Sequence, residues 1–224
     1  MSFTLIRSKR KTIAIYIRGG SVEVRAPLRM SKRDIDRFVA LKERWITDKL
    51  TQSRERAEKR EAFTLGYGDS VTLQGAQYAI TARSGAQADF DGKVFCIPPG
   101  LEPEQIKRLC IQVYRHLAKT YLTRLVAVYA EQMGAAPAAV KINGAKTRWG
   151  SCSSKRSVNF SWRLMMADNS VIDYVVVHEL AHLSEMNHSP RFWAIVESIL
   201  PDYRERQKGL RALQKRLSCE DWER

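Results

Sequence analysis

The chain has 224 residues, 44% of them hydrophobic, with 38 lysines and arginines against 24 aspartates and glutamates and a formal net charge of +14. That apolar share builds an ordinary core and excludes a disordered tail, and no run approaches the roughly 20 consecutive apolar residues of a membrane-spanning helix. The start, MSFTLIRSKRKTIAIYI, has neither a long apolar run nor a small-residue cleavage site, so a soluble, cytoplasmic protein without membrane attachment is expected.

In chain order, TIAIYIR (Thr12 to Arg18) and SVEVRAP (Ser21 to Pro27) alternate about Gly19-Gly20 and predict a β-hairpin. Ser31 and Asp34 have the spacing of a capping box, and Ile35, Phe38, Val39, Leu41, Trp45, Ile46 and Leu50 follow as a helical stripe. Thr51 to Glu61 lacks a stripe, which fits a solvated helical extension or a linker. Residues 1–61 hold 17 of the basic side chains against 8 acidic ones. This N-terminal excess favours polyanions, nucleic acid among them, or else is a solvated face.

Between Phe63 and Pro98 the runs DSVTLQG, QYAITAR and KVFCIPP predict a small antiparallel sheet. Pro103 opens a long amphipathic helix through Ile106, Leu109, Cys110, Val113, Leu117, Tyr121, Leu125 and Val128, ending near Gly134, with His116 beside the stripe as an ordinary surface or packing residue. Ala139 to Met165 predicts three short strands with turns at Asn143-Gly144 and Ser154-Lys155. Ser170 and Asp173 resemble a second capping box before the apolar helix VIDYVVVHELAHL. Ser189-Pro190 starts a further helix, and a basic amphipathic helix follows Pro201-Asp202. Cys96, Cys110, Cys152 and Cys219 have no C-x-x-C spacing, which predicts free thiols in a reducing compartment.

The stretch HELAHLSEMNH holds three of the four histidines. Residues four apart share a helix face, so His178 and His182 can offer two imidazoles to one ion, with Glu179 beside them, as in the H-E-x-x-H pattern of zinc metalloproteases. On an unbroken helix His188 would lie about 9 Å beyond His182 and about 120° round the axis, out of reach of that ion. Asn187 tolerates the left-handed conformation and Pro190 disfavours helix before it, so a reversal at Met186-Asn187 can bring His188 back as third ligand. Glu197 is the runner-up, in the manner of two-histidine-plus-glutamate sites. The histidine spacing equals that of metzincins, but Glu185 stands where that motif has glycine.

RSKRKTI near the start, the Trp45-Ile46 helix, TRWGSCSS, NFSWRL, VIDYVVVHELAHL, NHSPRFW and PDYRERQKGLR together resemble the YgjP-like metal-dependent hydrolases, relatives of the SprT and Wss-type zincin metallopeptidases, over almost the whole chain. The resemblance implies one Zn2+ ion on His178, His182 and His188, with Glu179 as catalytic acid/base. It also places Trp149 to Cys152 on the strand bordering the cleft, where Arg148 and Trp149 either guide a peptide along a sheet edge or pack against the helix. Tyr203 and Arg204 are candidates to contact substrate or stabilise an oxyanion, from their position alone. Cys152 has no base that the sequence places next to it.

The function expected is zinc-dependent hydrolysis of a peptide or protein, with Glu179 as general base for an activated water. Two alternatives stand beside it: a nucleoside triphosphate pyrophosphohydrolase, also implied by the resemblance, and a nucleic-acid-associated protease or binding module. The expected fold is α+β. A zincin-like domain with a small antiparallel sheet and the metal-bearing helix would occupy residues 101–224, and a mostly β part with one long helix residues 1–100.

Overall fold

The computed structural model describes residues 2–85 and 87–223. The fold is α+β, in two compact units: residues 1–63 with Ser218–Glu220, and residues 64–217 with 221–224. The change of unit falls between Phe63 and Thr64, so residues 64–100, grouped with the N-terminal part on the sequence, belong to the second unit. No helix among the described residues is long and apolar enough to cross a membrane.

In the first unit β1 (Thr4–Ser8), β2 (Ala14–Arg18) and β3 (Ser21–Pro27) form a sheet of order β1-β3-β2. The hairpin β2–β3 turns through Gly19 and Gly20 at φ 54° and 77°, the left-handed pair that a two-residue hairpin of this hand requires. Ser31 caps α1 (Lys32–Leu41), its hydroxyl accepting from the Asp34 amide at 3.1 Å. The helix breaks at Lys42 and resumes as α2 (Glu43–Glu61), so the single long helix expected here is two, and Thr51 to Glu61 is the solvated extension. Val22, Val24, Ala26, Ile35, Val39 and Ile46 make the core, while Leu41 and Trp45 are exposed.

In the second unit β4 (Ser70–Leu73), β5 (Ala76–Ala82), β6 (Asp89–Phe90) and β7 (Phe95–Ile97) form a sheet of order β4-β5-β7-β6. It is mixed, because β5 and β7 run parallel. α3 (Pro103–Gln132) begins with a capping box between Glu102 and Gln105 and buries Ile106, Cys110, Val113, Tyr114, Ala118, Leu122, Val126 and Ala130. That stripe is rotated from the expected one, leaving Leu109 and Leu117 half-buried, Val128 exposed and His116 at the surface. Tyr114 donates to the Thr72 carbonyl at 2.5 Å, and its ring joins Phe95, Trp162 and Trp222 in one aromatic cluster.

β8 (Ala139–Asn143), β9 (Gly150–Cys152) and β10 (Ser157–Ser161) form the other sheet, in the order β8-β10-β9. β9 is an edge strand, paired antiparallel to β10. A 3₁₀ turn at Trp162–Met166 leads to α4 (Asn169–Ala181), followed by α5 (Pro190–Ile199) and α6 (Tyr203–Leu217). α4 starts on Asp168 rather than at a Ser170 capping box. Val171, Ile172, Val175, Val176, Val177, Leu180 and Ala181 are all buried, as befits a helix packed on most of its faces.

Candidate metal centre

α4 carries His178, Glu179 and His182 at its C-terminal end, where the helix stops on His182 as C-cap. The expected reversal therefore begins earlier than Met186-Asn187. Leu183 and Ser184 bond back to the carbonyls of Leu180 and Ala181, and no residue between 182 and 190 takes a positive φ, Asn187 included. The turn is closed by short-range backbone bonds, ending in Ser189 N–H to the Asn187 carbonyl at 2.8 Å. Ser189 then caps α5, accepting from the Phe192 amide at 3.3 Å, and this holds the segment carrying His188 under α4.

His178 Nε2 and His188 Nε2 lie 3.1 Å apart, and one nitrogen from each of His178, His182 and His188 falls within 4.8 Å of the others. The fully buried Phe192 touches all three imidazoles, with ring centroids 4.9, 4.5 and 4.7 Å from His178, His182 and His188. It fixes how closely the rings can approach. Glu197 is exposed on α5 and outside the cluster, and the Glu185 carbonyl lies 3.1 Å from His182 Nδ1.

The donor set fits a divalent cation. Two nitrogens on one tetrahedral ion with bonds of roughly 2.0–2.1 Å stand about 3.3 Å apart, close to the His178–His188 separation. The Glu185 carbonyl favours the His182 tautomer with its proton on Nδ1, which leaves Nε2 as the lone-pair donor. Burial, then the neighbouring His182 and His188, push His178 down to about 3, and burial lowers His182, so both hold the neutral, ligating form at physiological pH. His178 Nδ1 is buried without a hydrogen-bond partner among the described residues. Imidazole donors suit zinc, copper, iron or nickel better than calcium or magnesium.

Glu179 is buried, 6% exposed, and burial raises its carboxyl to about 8. A cation beside it acts in the opposite sense, favouring the carboxylate. Arg148, Trp149, Gly150, Tyr174, His178 and Glu179 line a cleft of about 180 Å³. Gly150 lies against the glutamate so closely that a Cβ there would stand 2.5 Å from Glu179 Cγ and 2.6 Å from Oε1. The approach to β9 is pinned as well: Ser161 N–H donates to the Trp149 carbonyl at 2.9 Å, Ser161 Oγ to the Ala145 carbonyl at 2.8 Å, and Arg163 to the Gly144 carbonyl at 2.8 Å.

Of the residues expected at the site, His178, His182 and His188 converge, and His178 lines one cleft with Glu179, Arg148 and Trp149. Tyr203 and Arg204 line a separate depression, reached through Trp193, which stacks on Tyr203 at 5.3 Å. Burial pushes the Cys152 thiol up, away from the thiolate that a nucleophile needs. The contact of Gly150 with Glu179 carries no sequence signal, and Tyr174 a weak one. The tyrosine reads as one more apolar position of α4, although its place four residues before His178, on the same helix face, was available as a hint.

The chain matches the family described as YgjP-like, metallopeptidase domain, over residues 11–213. No curated protein matches it. Among solved structures it is similar to the crystal structure of the metallopeptidase zymogen of Pyrococcus abyssi abylysin, at 21% identity and a TM-score of 0.39, with 44% of this chain and 97% of that chain covered.

Proposed function

The chain belongs to the YgjP-like metallopeptidase domain family, and on that footing we propose that it is a mononuclear zinc peptidase, with His178, His182 and His188 as ligands and Glu179 as proton carrier. The observation that supports this most is the convergence of three imidazoles, one of which, His178, lines a cleft together with the buried Glu179. His178, His182 and His188 would hold the zinc ion, which when bound would supply Lewis acidity towards a carbonyl and lower the pKa of water.

The chain's own groups do the rest. Phe192 and the Glu185 carbonyl orient the imidazoles, and Gly150 leaves room for Glu179 in the wall of the cleft. Glu179 takes a proton on a carboxylate oxygen and returns it to the leaving amine. The β9 edge offers backbone amides and carbonyls to an extended peptide, bordered by Arg148 and Trp149. Tyr174 accepts from Gln207 Nε2 at 3.3 Å, and its own hydroxyl proton serves as a donor towards an oxyanion in the cleft.

Peptide hydrolysis is preferred to nucleotide hydrolysis because Glu179 is the one carboxylate among the described residues lining this cleft. Phosphate chemistry usually relies on Mg2+ or paired metals held by several carboxylates. The test is a peptide library and a nucleoside triphosphate panel offered to the zinc-loaded protein. Glu179→Gln should bind zinc and lose turnover by about 10²–10⁴-fold. A zinc-loaded Glu179→Gln protein of full activity would refute the role given to the glutamate.

A further inference from the structure

Beside the histidines, an aromatic path leads away from the cleft to a second depression. Trp193 lies 5.7 Å from the His188 ring and stacks on Tyr203 at 5.3 Å, with 19° between the planes. The Arg204 guanidinium stands 5.5 Å from the Tyr203 ring centre, and its Nε donates to the Tyr203 hydroxyl at 3.2 Å. With Gln207, Lys208 and Arg211 these side chains line a depression of about 370 Å³.

The cations here are held in different ways. Lys208 pairs with Glu205 at 2.6 Å. Among the described residues, Arg204 and Arg211 hydrogen-bond to neutral groups: the Tyr203 hydroxyl, and Gln207 Oε1 at 2.9 Å. Gln207 in turn donates to Tyr174, which lines the cleft with Glu179, so one amide ties Arg211 to the catalytic side. Both guanidiniums are thus supported by neutral partners, with no carboxylate of the described residues at ion-pair distance. A planar guanidinium in that state is suited to a carboxylate.

Resting on the peptidase reading, we propose that Arg204 and Arg211 form a carboxylate-recognising subsite. It selects peptides with an acidic side chain or a free C-terminal carboxylate near the scissile bond. Arg204 is separated from His188 by three steps of 5.7, 5.3 and 5.5 Å. At about 3.4 Å per extended residue that places the recognised carboxylate within about five residues of the bond cut. A single negative charge suits this depression better than a triphosphate. Glu205 already engages Lys208, so two guanidiniums remain for an anion, fewer positive charges than a triphosphate carries negative ones.

The test uses the full-length, zinc-loaded Glu179→Gln protein, which should hold substrate without turning it over. Calorimetry compares three peptides of otherwise identical sequence: one with a glutamate and an amidated C-terminus, one with glutamine and a free C-terminus, and one neutral and amidated. One or both carboxylate peptides should bind at least about 5-fold tighter than the neutral one, and which of them does so identifies the source. Arg204→Gln with Arg211→Gln should abolish the difference, while Arg54→Gln with Arg56→Gln on α2, the same change in charge, should leave it. Equal binding of all three peptides, or equal loss in both double variants, overturns the subsite. So does a nucleoside triphosphate that binds tighter than either carboxylate peptide and is lost with Arg204 and Arg211. Carboxylate selectivity without any peptide turnover by the unmodified protein would leave the subsite standing and remove the peptidase reading; turnover without selectivity would do the reverse.

Discussion

Gly150→Ala isolates one contact on which the site depends. The added Cβ would stand 2.5, 2.6 and 2.7 Å from Cγ, Oε1 and Cδ of Glu179, where ordinary contacts are 3.4–4 Å. Glu179 must therefore give way by about 1 Å, and at 6% exposure it has little room to do so. Gly150 does not have a positive φ, so alanine brings no backbone strain and the effect is steric. Overpacking of this kind costs about 1–3 kcal/mol, or roughly 2–4 °C in Tm for each kcal/mol. A displacement of about 1 Å in a reacting group costs about 100-fold in rate. The assay combines thermal unfolding, zinc affinity and kcat on a cleaved peptide, with Gly150→Ala made both alone and on Glu179→Ala. Stability and kcat should fall in the single variant with zinc affinity nearly kept, and the stability cost should shrink to below about 1 kcal/mol once the glutamate side chain is gone. An active, stable Gly150→Ala protein, or the same cost in both backgrounds, would refute the argument.

Phe192→Ala removes the ring beneath all three imidazoles; it should cost about 3–5 kcal/mol in denaturant unfolding and weaken zinc binding measured with a competing chelator. Ser189→Ala takes away the α5 cap and should cost about 0.5–2 kcal/mol in the same unfolding measurement, with a smaller loss of zinc affinity because His188 immediately precedes it. At the acid end, the amides of Val94 and Lys93 and then Arg83 hold the Asp91 carboxyl well below its usual range. A depressed carboxyl stabilises the fold above its unfolded value near 4, and that contribution is lost as pH falls through the folded value. Urea unfolding at pH 7 and pH 3 should accordingly show a smaller pH-dependent loss in Asp91→Asn than in the parent protein; an unchanged difference would contradict this.

Much of the candidate site is legible because local spacing carries it. The spacing of four positions from His178 to His182 puts two imidazoles on one face, and Ser189-Pro190 announces the helix start that returns His188. The position of the reversal was misplaced because the hydrophobic pattern continues through Leu183, while the helix stops at His182. Short-range backbone bonds then turn the chain without the left-handed residue that Asn187 offered. In the same way the stripe from Ile35 to Leu50 reads as one helix, because a pattern of apolar positions does not register a break that costs only one turn at Lys42.

The sequence by itself determined the α+β content, the hairpin at Gly19-Gly20, the long α3, the histidine-bearing end of α4 and the start of α5 just after His188, all of which follow from periodicity and turn chemistry within a few residues. Tertiary structure decided what depends on distant segments. It paired β1 with β3, β5 with β7 and β8 with β10 in parallel, a geometry whose connections leave no short turn signature. It laid Gly150 on Glu179, and it led from His188 through Trp193 to Tyr203 and Arg204. Those contacts arise from close packing between elements, and packing is fixed by the shapes of both partners rather than by spacing along either one.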